Sequence, residues 1–93
     1  MFSWDARKAL SNLKKHGVSF EEAATVFSDP EALDWDDPDH SKLELRSKRL
    51  GASTAGRILT VAYTARRLKN GKETIRIISA RQATRKERRA YSG

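Results

Sequence analysis

Ninety-three residues, 38% of them hydrophobic and 33% charged, give room for one hydrophobic core and exclude both a multidomain protein and a chain too polar to fold. The absence of cysteine excludes disulfides and thiolate metal sites, no apolar run approaches the ~20 residues of a membrane span, and Met1–Asp5 lacks the pattern of a secretion signal, so a cytoplasmic protein is expected. The net charge of +7 is unevenly spread: residues 1–41 carry nine acidic and four basic side chains, residues 42–93 three acidic and fifteen basic ones, ten of these arginines.

Taken in chain order, Trp4 precedes Asp5, a predicted N-cap for a helix reaching about His16. Ala6, Ala9, Leu10 and Leu13 form its apolar face, Lys8, Asn12 and Lys15 share another, and Gly17 stands where a left-handed C-terminal cap belongs. Ser19 and Glu22 have the spacing of a capping box, with Val18 and Ala23 placed as its hydrophobic staple. The second helix is expected to pack through Phe20, Ala23, Ala24 and Phe27 and to stop at Asp29-Pro30. Residues 32–35 read as a short edge strand, 36–40 as an acidic loop, 43–50 as a second strand, and 51–56 as a flexible connection of small residues.

Residues 57–68 and 73–81 are the clearest strands, joined around Asn70-Gly71, a strong hairpin signal. Thr84 and Glu87 make a second capping box, opening a short basic C-terminal helix. The expected fold class is α+β, with two N-terminal helices packed on an antiparallel meander and one helix after it. A two-residue turn at Asn70-Gly71 would pair Lys69 with Lys72. Leu59, Val61 and Tyr63 would then share a greasy face with Ile78 and Ala80. Thr60, Thr64 and Arg66 would share the opposite face with Ile75, Ile77, Ser79 and Arg81.

The chemistry narrows by elimination. Asp34, Asp36, Asp37, Asp39 and His40 are the one acidic cluster, and it lacks calcium-loop or zinc spacing, so no metal is expected. No serine or histidine stands in a nucleophile-elbow or triad setting, and Gly51 and Gly56 lack a P-loop lysine. RNA transesterification remains, because the substrate brings its own 2′-hydroxyl nucleophile. The protein need only move protons and neutralise charge on the phosphorane, and the arginine fork suits the second task. His16, Glu44, Lys15 or Tyr91 could act as base or acid. His16 can equally be a cation stabilised at a helix C-terminus, and Tyr91 a core plug. Trp4 can stack on a base or pack in the core.

The text Trp4-Asp5, Lys8, Asn12, Lys15-His16-Gly17-Val18-Ser19-Phe20-Glu21-Glu22-Ala23, Val26-Phe27 and Asp29-Pro30 resembles the BrnT family of bacterial type II toxins. The resemblance resumes through Glu44, Arg46, Gly51, Gly56-Arg57, Tyr63-Thr64 and Arg66. It closes with Ile75-Arg76-Ile77-Ile78-Ser79-Ala80-Arg81, Glu87-Arg88 and Tyr91, so that one domain over residues 1–93 is covered. The resemblance implies a RelE-like fold and a ribonuclease that arrests translation without a cofactor. It also implies a ribbon-helix-helix antitoxin of BrnA type, two toxins per antitoxin dimer, and a complex that binds its own promoter DNA. By the same resemblance Arg57, Arg66, Arg76 and Arg81 are the foremost functional group, followed by Lys15, His16, Glu44 and Arg46. Lys8 and Trp4 complete the candidate RNA contacts. A non-catalytic regulator that binds nucleic acid and a partner is the alternative reading.

Overall fold

The computed structural model describes residues 1–40 and 45–93. Its elements are β1 (Phe2–Ser3), α1 (Ala6–His16), α2 (Phe20–Thr25), β2 (Leu33–Asp36), β3 (Ser47–Ala52), β4 (Ile58–Arg67), β5 (Glu73–Gln82) and α3 (Arg85–Ser92). The five strands form one sheet in the order β1-β5-β4-β3-β2. β2 to β5 are the expected antiparallel meander, but β1 joins β5 in parallel, so the sheet is mixed. A two-residue strand carries no sequence periodicity, which is why it was not visible beforehand.

Both predicted helix starts are capped. The Asp5 carboxylate accepts the backbone N–H groups of Arg7 and Lys8, and the Ser19 hydroxyl accepts that of Glu22. Gly17 closes α1 at a φ of 68°, in the left-handed region that favours glycine. The first capping box is half formed, because the Glu22 carboxylate turns to Ser53 and Arg57 instead of Ser19. The second is complete at Thr84 and Glu87.

The core joins Val18, Phe20, Ala23 and Val26 to Leu59, Val61, Ile77 and Ala80, with Trp4, Ala9, Phe27 and Ile75 against it. α1 departs from the amphipathic reading. Leu10 and Leu13 are exposed and Asn12 is buried. The Asn12 amide donates to the carbonyls of Val18 (2.9 Å) and Ala80 (2.8 Å) and accepts the Ala80 N–H (3.1 Å). β1 covers β5 only at Ile75 and Arg76, so this side chain closes the edge where β1 has ended. The supposed flexible connection also resolves differently. Gly51 and Ala52 belong to β3, and Gly51 is buried where a Cβ would stand 2.9 Å from both the Ala32 and Val26 side chains.

The hairpin corrects the predicted faces. Leu68 N–H bonds to the Lys72 carbonyl (2.7 Å) and Gly71 N–H to that of Leu68 (3.0 Å). The connection is thus the three residues Lys69-Asn70-Gly71, with Gly71 left-handed at φ 81°. Arg66 pairs with Thr74 and Thr64 with Arg76, one position off the predicted register. A bulge between Ala62 and Tyr63 leaves Ile78 extra on β5 and restores the expected register at Ser79 and Arg81. Ile77 therefore falls opposite Tyr63 on the core side, with Ile75 in the same alternation, and Arg76 and Thr74 turn to the other side.

Candidate nucleic-acid interface

The face turned away from α1 and α2 follows from the register. Its cross-strand rows are Leu33, Leu50, Thr60 and Arg81; then Trp35, Lys48, Ala62 and Ser79; then Thr64 with Arg76; then Arg66 with Thr74. α3 lies over one end, where Glu87 reaches Thr60 and the Tyr91 hydroxyl donates to Asp29 (2.6 Å). Past α3 the face exposes Arg66, Arg76 and Ser79, with Thr74 half-buried and the Thr60 and Thr64 side chains buried beneath them.

Among the described residues, two hollows indent this face. The first, of ≈ 210 Å³, is lined by His16, Lys48, Thr60, Ala62, Ser79, Ala80 and Arg81. The second, of ≈ 90 Å³, is lined by Ser3, Thr64, Arg66, Thr74 and Arg76. His16 reaches the first because Asn12, one helical turn earlier, ties α1 to β5 at Ala80. Four of the sequence candidates thus gather here, His16 with Arg81 and Arg66 with Arg76; the three-residue turn brings Arg76 to this face and the bulge keeps Arg81 on it.

Arg81 is held rigidly. Its Nη1 and Nη2 donate to the two Glu87 oxygens at 2.7 and 3.0 Å. Glu87 also accepts from the Thr60 hydroxyl (3.0 Å) and the Thr84 N–H (2.9 Å). The Arg81 guanidinium holds the Glu87 carboxyl at about 2, with the Thr84 and Thr60 donors adding to it, and Glu87 in turn raises the Arg81 pKa. A bidentate pair of this kind fixes both planes and leaves a positioned cation at the hollow.

Other candidates lie elsewhere or serve the fold. Arg57 grips Glu22 through Nε (3.0 Å) and donates to the Gly17 carbonyl (3.0 Å), which lowers the Glu22 pKa and raises its own. It lines neither hollow, and these contacts make it a clamp between the start of β4 and the α1–α2 corner. Trp4, half-buried, packs against the core edge-on to Phe20 at 6.0 Å, the second of its two readings. Tyr91 is a docking contact whose hydroxyl pKa is raised chiefly by Asp29. Asp34, from the acidic cluster, accepts from Arg49 (2.7 Å) and the Tyr63 hydroxyl (2.8 Å); burial first and Asp34 second push Tyr63 to about 12. Lys15 is exposed one residue before His16. Lys8 is exposed at the other end of α1, where Asp5 feels the charges of both Lys8 and Arg76. Arg46 is half-buried, its carbonyl accepting the Asp37 N–H (2.8 Å). Glu44 lies outside the described residues. Sequence reasoning missed Lys48, which lines the first hollow, and alternation along β3, had its register been known, was the signal that could have found it.

Fold and face together define a small α+β protein whose mixed sheet carries a cationic, hydroxyl-lined surface beside a histidine. Residues 4–87 match the family described as the ribonuclease toxin, BrnT, of type II toxin–antitoxin systems, and the chain belongs to that family. The crystal structure of the Brucella abortus ribonuclease toxin BrnT is similar in fold, with a TM-score of 0.66 and 24% identity, over 91% of this chain and 99% of that one. No curated protein matches the sequence significantly.

Proposed function

We propose that the chain is a metal-independent endoribonuclease that cleaves RNA by transesterification on the open sheet face and so inhibits translation. The observation that carries this reading is the hollow in which His16, Lys48 and Arg81 converge with the hydroxyls of Thr60 and Ser79. A phosphate seated there would meet fixed positive charge from Arg81 and mobile charge from Lys48, and His16 is the proton-transfer group in reach. Arg66 and Arg76 would hold a neighbouring phosphate in the second hollow. Glu44 stays a candidate base from the sequence, and Lys15, Arg46 and Lys8 stay candidate backbone contacts. Among the described residues no group of three His, Asp or Glu side chains is placed to hold a metal ion.

Family membership supplies the regulatory half of the reading. One domain over residues 1–93, akin to RelE-type toxins, would act in the cytoplasm and be blocked by a BrnA-like ribbon-helix-helix antitoxin. Two toxins per antitoxin dimer follow from the dimeric partner, and promoter DNA would be bound through the complex. Among the described residues no helix is long and apolar enough to cross a membrane. The occupation of Arg81 by Glu87 favours a second reading, a regulator that binds RNA without cutting it. RNA digestion with purified protein separates them. Products with 2′,3′-cyclic or 3′-phosphate ends, unaffected by EDTA, support the nuclease; activity abolished by chelator and restored by a divalent ion overturns metal independence.

A further inference from the structure

We infer that Trp35 and Lys48 form a subsite for an unpaired nucleobase and its phosphate, beside the hollow that holds His16 and Arg81. This rests on the reading of the face as an RNA surface and extends it to a residue on the outermost strand. β2 is an edge strand, and Trp35 stands directly opposite Lys48 in its register. Directly paired side chains project on the same side of a sheet, so the indole shares the open face with Lys48, which itself lines the hollow. The row continues through Ala62 to Ser79. At about 5 Å per strand, Trp35 lies roughly 10 Å from Ala62 and 14 Å from Ser79 along this row.

The chemistry of the row is that of a single-strand binder. Trp35 is 39% exposed and, with Leu33 at 43% on the same side of β2, leaves an apolar surface in water beside the cations of the hollow. An edge strand gains nothing from an exposed indole and is ordinarily blunted by charge. A base has a π-face whatever its identity, and aromatic platforms next to a cation are how unpaired nucleic acid is held without reading sequence. Ala62, small and flat between Lys48 and Ser79, leaves room for the backbone to pass from platform to hollow. Duplex RNA is excluded from this subsite, because its bases are stacked and its edges paired.

The test is a titration with a short 2′-O-methyl oligonucleotide, which keeps bases and phosphates but has no nucleophile. With Trp4→Phe, Trp35 is the sole indole, and saturable quenching of its fluorescence is expected. Should Trp4→Phe misfold, the wild type is compared with Trp35→Phe, which should bind well but lose the quenching. Trp35→Ala should weaken binding about 5- to 100-fold, as loss of one stacked base does. Lys48→Ala should reduce the salt dependence by about one phosphate contact. Binding without quenching, or Trp35→Ala binding as the wild type, overturns the subsite. So does a Trp35→Ala protein that binds the oligonucleotide normally but is no longer captured by the antitoxin, which would make the indole a protein contact. RNA cleavage without quenching leaves the nuclease standing and removes the subsite; quenching without cleavage does the reverse.

Discussion

The side chain of Asn12 supplies both the donor and the acceptor that the open edge of β5 needs at Ala80. One amide thereby stands in for a strand and ties α1 to the sheet. Asn12→Ala would leave three buried backbone groups without partners, and a loss of roughly 2–3 kcal/mol in denaturant unfolding is expected. A variant within about 0.5 kcal/mol of the wild type would show that water or a shifted helix fills the gap. The sequence placed Asn12 on a polar stripe with Lys8 and Lys15 and turned the leucines inward, because amphipathic reading assumes that a helix buries its greasiest face. A helix at a sheet edge meets backbone polar groups instead, and only the fold says where that edge is. The arginines divide the same way. Arg66 lines the second hollow, and Arg66→Ala should lower cleavage roughly tenfold to a thousandfold. Arg81→Ala should lose activity comparably and also melt earlier, since Glu87 is left without its partner. An Arg81→Ala variant that melts with the wild type would show that Glu87 does not depend on this ion pair.

At the scale of elements, α3 is fastened at two points: Glu87, on Arg81 and Thr60, and Tyr91, on Asp29. The Thr84–Glu87 capping box was legible in the sequence, but its second use was not, because nothing local to residues 84–87 points to a strand arginine as partner. The native pairing holds the Glu87 carboxyl at about 2, against an ordinary 4.5. A carboxyl depressed in the folded state contributes stability that is complete above the unfolded pKa and disappears as pH falls through the folded one. The contribution of Glu87 should therefore fade between about pH 4.5 and 2. Glu87→Gln should be less stable than the wild type near neutrality, and the gap should close across that window. Melting curves of the two proteins from pH 7 to 2 measure it, and a gap independent of pH would mean that α3 is held by something other than this ion pair. The β4–β5 hairpin teaches the complementary lesson. Asn70-Gly71 located the turn but not its length, and one extra loop residue displaced every pair as far as Tyr63. The bulge at Ile78 then restored the register, so Arg81 fell where expected while Arg76 changed face. Register is set by such single-residue accidents, which hydrophobic alternation in one strand cannot reveal.

Across the whole molecule, the charge imbalance seen in the sequence becomes a division of labour. The basic half supplies β3, β4, β5 and α3, and four of its cations, Lys48, Arg66, Arg76 and Arg81, line the two hollows of the open face. Others are withdrawn from that face: Arg57 on Glu22, and Arg49 on Asp34 and over the Phe27 ring at 5.2 Å. Net charge alone therefore overstates the binding surface. It could identify the partner class but could not separate cations that build the fold from those that face a ligand. The distinction has a thermodynamic consequence. Single-stranded nucleic acid releases about 0.7 counterions per phosphate neutralised, so four contacts predict a slope near −3 in log K against log salt. Measured with an uncleavable oligonucleotide by fluorescence anisotropy, Arg76→Ala should flatten that slope by about 0.7, and Arg57→Ala should leave it unchanged while lowering stability. A slope of −6 or steeper would mean that most of the basic half, α3 included, touches the backbone. A slope near −1 would mean that the two hollows do not act as one track, and the assignment of Arg66 and Arg76 to a second phosphate would fall with it.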